Sequence, residues 1–89
     1  MATEEKIRSA IRDIAAHKRN VRIEEIEWVM NQLDAFGTVS MRENDHQRLY
    51  AFNGHRFGIC THHPGGAQVK SGYVKAFLSA MSDAGWYED

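Results

Sequence analysis

Eighty-nine residues, 43% of them hydrophobic and 26% charged, suffice for one small domain with its own core and exclude a disordered chain. Cys60 is the only cysteine, which excludes an internal disulfide framework and suits a reducing compartment, and no apolar run approaches the roughly 18 residues that cross a bilayer. The formal net charge of −1 excludes a chain that acts through bulk basicity, and the opening Met1-Ala2-Thr3-Glu4-Glu5 lacks the basic start and apolar core of a signal peptide, so a cytoplasmic protein without a membrane segment is expected.

Taken in chain order, the first pattern is helical. Glu4 to His17 places Ile7, Ile11 and Ile14 at helical spacing, with Thr3 as N-cap and Glu4 and Glu5 at the positive helix start. Asn20 breaks it. A second helix is predicted from Ile23 to Ala35, with Ile26, Val29, Met30 and Leu33 as its stripe and Gly37 as its C-terminal stop. The period then changes to two. Strands are predicted at 38–43, 46–52 and 56–61, antiparallel in that order, joined by the polar Glu43-Asn44-Asp45 turn and by Asn53-Gly54. Asn-Gly is the residue pair of a two-residue type I′ hairpin, which needs positive φ at both positions. Pro64-Gly65-Gly66 ends the strand pattern. Ser71 is the expected cap of a last helix whose stripe is Tyr73, Val74, Phe77, Leu78 and Met81; Gly85 ends it and Trp86-Tyr87 folds back. The class is α+β in the order α-α-β-β-β-α, with helices on one face of the sheet. Alternation leaves that face open: Tyr50, Phe52, Phe57 and Ile59 form the larger apolar set but share it with Arg48 and His46, while Leu49, Ala51, Gly58 and Cys60 form a smaller one.

Charge is distributed unevenly. Residues 1–45 carry nine acidic side chains, whereas His46 to Ser82 contains no Asp or Glu but holds Arg48, Arg56, Lys70 and Lys75. A segment of one sign can face phosphates even when the whole chain is not basic. The turn also sets a register: Phe52 faces His55, Tyr50 faces Phe57, Arg48 faces Ile59, Gln47 faces Cys60 and His46 faces Thr61. The open end of the hairpin therefore gathers His46, Gln47, His62 and His63. RNA cleavage needs a base for the 2′-hydroxyl, an acid for the leaving oxygen and positive charge for the phosphate. His46 and His63 suit the proton transfers, and Lys70 with the amides opening the last helix suits the phosphate. Cys60, His62 and His63 make a weaker metal set, because neighbours on a strand point to opposite faces. No metal or cofactor is expected.

Several stretches bring a family into view. Asn20-Val21-Arg22-Ile23-Glu24-Glu25-Ile26, Gln47-Arg48-Leu49-Tyr50, Cys60-Thr61-His62-His63 and Lys70-Ser71-Gly72-Tyr73-Val74-Lys75-Ala76-Phe77-Leu78 occur in an order and spacing that resembles the HicA toxins. The resemblance spans residues 20–83 of a single domain, with 1–19 as a helical extension and 84–89 as a tail. It implies a double-stranded-RNA-binding-domain-like fold, cleavage of mRNA and neutralisation by a HicB-like antitoxin. The family's catalytic histidine lies in a Gly-Ser-His motif opening the second strand. Counted from Gly37 or back from Tyr50, that motif falls on Asp45, His46 and Gln47, so Gln47 stands at the histidine. A one-residue slip in the preceding turn puts His46 there instead, and also turns the side chain to the other sheet face. Two readings follow. One is an endoribonuclease with catalytic His46 and His63 and RNA-binding Arg48, Arg56, Lys70 and Lys75. The other is a non-catalytic RNA- or protein-binding module of the same fold.

Overall fold

The computed structural model describes residues 3–44, 47–60 and 68–88. Its elements are α1 (Glu4–Ala16), α2 (Ile23–Leu33), β1 (Val39–Glu43), β2 (Gln47–Phe52), β3 (His55–Cys60) and α3 (Ser71–Asp83). The strands form one antiparallel sheet in the order β1-β2-β3. Helix α3 packs on β3, α2 packs on β1 and β2, and α1 lies against α2 and α3. Among the described residues no helix is long and apolar enough to cross a membrane.

Helix α1 starts where the Thr3 hydroxyl accepts the Lys6 N–H at 3.3 Å, and it buries Ile7, Ile11 and Ile14. Helix α2 opens at Arg22, whose backbone N–H donates to the Glu25 carboxylate at 2.7 Å. It ends at Leu33 rather than Ala35, because the chain tightens: Phe36 N–H donates to the Leu33 carbonyl at 2.8 Å. Gly37 is not the left-handed cap expected there, since only Gly54 and Gly85 among the described glycines have positive φ. Its role is steric. A Cβ on Gly37 would meet Phe52 Cε1 and Asn53 Oδ1, both at 2.7 Å.

The hairpin follows its turn residues. Asn53 and Gly54 take φ of 50° and 88°, and the pairs Phe52–His55, Tyr50–Phe57, Arg48–Ile59 and Gln47–Cys60 fall in the expected register. Asn53 also holds β1: its Oδ1 accepts the Thr38 N–H at 2.9 Å, and its own N–H donates to the Thr38 carbonyl at 2.9 Å. The larger apolar set is the one that packs the helices. Phe52 and Ile59 are fully buried, with Tyr50 and Phe57 nearly so, whereas Leu49 is 43% exposed on the other face. Tyr50 stacks on Phe57, which meets Phe77 of α3 edge-on at 5.2 Å. Val39 and Met41 share this inner face, but Met41, on the edge strand, is 51% exposed.

Helix α3 begins at Ser71 itself. Lys70 is the N-cap residue and no side chain caps the helix, in place of the expected Ser71 cap. Its far end is a Schellman motif: Trp86 N–H donates to the Met81 carbonyl at 2.8 Å and Gly85 N–H to Ser82 at 3.1 Å, with Gly85 at φ 84°. Trp86 thereby folds onto Phe36 and Phe52, with the Arg8 guanidinium 4.9 Å from its ring centroid. One tie has no sequence signature. Val69 N–H donates to the Val21 carbonyl at 2.8 Å, and an isolated bridge joins Arg22 to Gln68, so the start of α3 is pinned to the α1–α2 connection.

The two close-packed glycines separate by what surrounds them. Gly37→Ala drives a methyl into a fully buried ring and into a hydrogen-bonded amide, an overpacking cost of about 1–3 kcal/mol. At Gly58 the nearest atom is the free end of half-exposed Leu49, at 2.9 Å. Gly58→Ala should therefore stay within about 0.5 kcal/mol of the parent. Urea melts of the two variants measure this directly, with a lower midpoint for Gly37→Ala alone.

Candidate nucleic-acid interface

Because Gln47 pairs with Cys60, β2 begins and β3 ends side by side. His46 and His63, the expected acid–base pair, lie outside the described residues, as do Asp45, Thr61, His62 and Pro64-Gly65-Gly66. The four basic candidates are described, and they occupy four different places.

Arg48 lies on the inner face at the end of the sheet, with its side chain 19% exposed. Its guanidinium donates to Glu27 of α2 at 2.7 Å and to Glu43 of β1 at 2.7 and 2.9 Å. The bonds to Glu43, with smaller help from Tyr50 and Glu27, outweigh partial burial and hold its pKa above the ordinary arginine value. Arg48 thus carries a charge matched by two carboxylates, and it joins β2 to β1 and α2.

Arg56 lies on the outer face, away from the helices. Two cross-strand rows run there: Ser40–Ala51–Arg56 and Arg42–Leu49–Gly58. Arg42 and Arg56 are exposed, and neither pairs with a carboxylate among the described residues. They stand at opposite corners of the face, about 12 Å apart at Cα from the ordinary strand spacing and rise. Arg42 belongs to the acid-rich first half of the chain, so a count of charge by segment passes over it. Alternation along β1, which sends Arg42 opposite to Val39 and Met41, was the signal that finds it. Among the described residues no acidic side chain lies on this face.

Lys70 sits at the start of α3, where Arg19, Gln68, Val69, Lys70 and Ser71 line a groove. The Gln68 amide donates to the Arg19 carbonyl at 2.6 Å and to Asn20 Oδ1 at 3.2 Å, which fixes this groove to the α1–α2 connection. Lys75 faces elsewhere, into a groove shared with Lys18, Leu78, Ser79, Ser82, Asp83 and Tyr87. The fold therefore sets Lys70 beside Arg19 and not beside Lys75. Cys60 is a free, half-buried thiol, and among the described residues no three His, Cys, Asp or Glu side chains converge as a metal site. Neither protein-family models, nor curated proteins, nor solved structures yield a match to this chain.

Arg48 and Arg56 differ in what they hold. Arg48→Ala leaves two carboxylates facing one another and uncovers the arginine stem, and should lower stability by about 1–2 kcal/mol. Arg56→Ala should change it by less than about 0.5 kcal/mol. Chemical denaturation of the purified variants reads both values.

Proposed function

We propose that this chain is a HicA-like toxin with a double-stranded-RNA-binding-domain-like fold, which binds RNA, cleaves mRNA by histidine acid–base chemistry and is restrained by a HicB-like antitoxin. The observation that carries the reading is the open face of the sheet, where Arg42 and Arg56 project and pair with no carboxylate among the described residues. Unpaired positive groups on a surface attract a phosphate backbone, and α1, α2 and α3 all lie on the other side of the sheet. Lys70 with Arg19, beside the uncapped start of α3, supplies a second basic place. In this reading His46 and His63 exchange protons with the 2′-hydroxyl and the leaving oxygen. An antitoxin presenting carboxylates to Arg56 and Lys70 would compete with RNA for the same charges, and its association would weaken with salt.

Gln47 favours a second reading. It stands at the family's catalytic position, lies exposed on the outer face, and its backbone N–H is held by the Asn44 side chain at 2.8 Å. An amide does not transfer protons at neutral pH, so the same fold would bind RNA without cutting it.

Cleavage of a long unstructured RNA by purified variants separates the two. His46→Ala should slow cutting by on the order of a hundredfold, a typical contribution of a general acid or base, with a smaller loss for His63→Ala and little change for Gln47→Ala. A wild type that leaves RNA whole while Gln47→His cuts it identifies a binder that has lost its nuclease. Cutting by His46→Ala at the wild-type rate removes the site assignment. Binding is a separate measurement: the Arg42→Ala/Arg56→Ala pair should weaken RNA affinity and reduce the salt slope by roughly one or two ion equivalents. Unchanged affinity and slope would show that the outer face does not meet the backbone.

A further inference from the structure

We propose that the groove between α1 and α2 is a docking site for a protein partner, built to receive an arginine side chain. The groove lies on the helical side of the molecule and is independent of the RNA reading. Ala10 and Ile14 of α1 and Trp28 of α2 form its apolar lining, and Asp13, Glu24 and Glu25 form its rim; none of the lining residues is basic. Trp28 is 41% exposed, although a tryptophan has more to gain from burial than any other residue of this chain.

The rim charges are not equivalent. Glu25 is occupied: one oxygen meets His17 Nε2 at 3.0 Å and the other accepts the Arg22 backbone N–H. Asp13 has no hydrogen-bond or ion-pair partner among the described residues, and Glu24 has only Arg22 at 4.0 Å, with that side chain 73% exposed. One unmatched carboxylate, and a second held only by an exposed arginine at 4.0 Å, beside an accessible indole specify the occupant. A guanidinium lays its plane and stem on the ring and offers its N–H fork to the carboxylates, whereas an anionic ligand would be repelled. The chain already uses this pairing internally, in Arg8 over Trp86. Exposed tryptophan and arginine are also the residues that most often dominate protein–protein contacts.

The test uses the whole chain, labelled with nitrogen-15, and a capped peptide alternating leucine and arginine. The arginine peptide should shift the Trp28 indole N–H and the amides of Asp13 and Glu24, and binding should weaken with salt. Replacing each arginine by citrulline, which keeps the shape and removes the charge, should lower affinity about fivefold or more, as should Asp13→Asn/Glu24→Gln. Trp28→Ala should lower it by a similar factor while the Trp86 signal stays in place, showing that the fold is intact. Equal binding of the citrulline peptide would overturn the proposal by making the groove a general apolar contact. Equal binding of spermidine would overturn it by reducing the groove to a cation site. Self-association abolished by Arg42→Ala/Arg56→Ala would assign the groove to a second copy of the chain and overturn it as well.

Discussion

The arrangement of the whole sheet rests on two residues. Asn53 and Gly54 take the left-handed conformation that a two-residue turn demands, and asparagine and glycine do so at little cost. Phe52 is then opposite His55, and the two-residue period of a strand decides every other side chain of the hairpin. A slip of one would turn Tyr50, Phe52, Phe57 and Ile59 into water and bring Leu49, Ala51 and Gly58 against the helices. Asn53 extends the constraint to the third strand. Its two hydrogen bonds to Thr38 align Val39 with Phe52, and the close approach they require is the space that Gly37 leaves empty.

From this register follows a molecule whose outer sheet face and helical side differ in charge. Charges of opposite sign meet where Arg48 reaches Glu27 and Glu43 at the end of the sheet, one guanidinium against two carboxylates. Arg42 and Arg56 remain on the outer face, while Asp13 and Glu24 remain on the helical side. A net charge of −1 describes neither side. The outer face offers unpaired positive charge, whereas the helical side mixes both signs, with Lys70 beside Arg19 and Lys75 beside Lys18 as well as Asp13 and Glu24.

Much of the fold was legible because its signals are local. Periodicity located the helices and strands, and the Asn-Gly pair set the hairpin register. The element ends were less legible where a cap is absent or a glycine serves packing: α2 stops short of Ala35, Gly37 is a contact rather than a cap, and Ser71 lies inside α3. The buried face of the sheet was undecidable from alternation because Arg48 shares it with Tyr50 and Phe52. The structure resolves this by position, since Arg48 stands at the strand end, where its long stem reaches carboxylates from two other elements. The bridge between the segments at Val21 and Val69 joins parts distant in sequence and carries no periodic signal. At the site, counting charge by segment singled out Arg48, which is matched, and passed over Arg42, which is free of any ion pair among the described residues.

The two tryptophans occupy opposite extremes of environment, and that makes the chain its own optical reporter. Trp86 is enclosed by Phe36 and Phe52 and capped by Arg8, so its surroundings exist only when the end of α3, the hairpin and α1 have come together. Trp28 sits in partial contact with water on the α1–α2 surface. Their emission should differ in colour and in access to a dissolved quencher. Substituting phenylalanine at one indole at a time would split the intrinsic fluorescence into a channel for assembly of the core and a channel for events on the surface, with no dye attached to a domain this small.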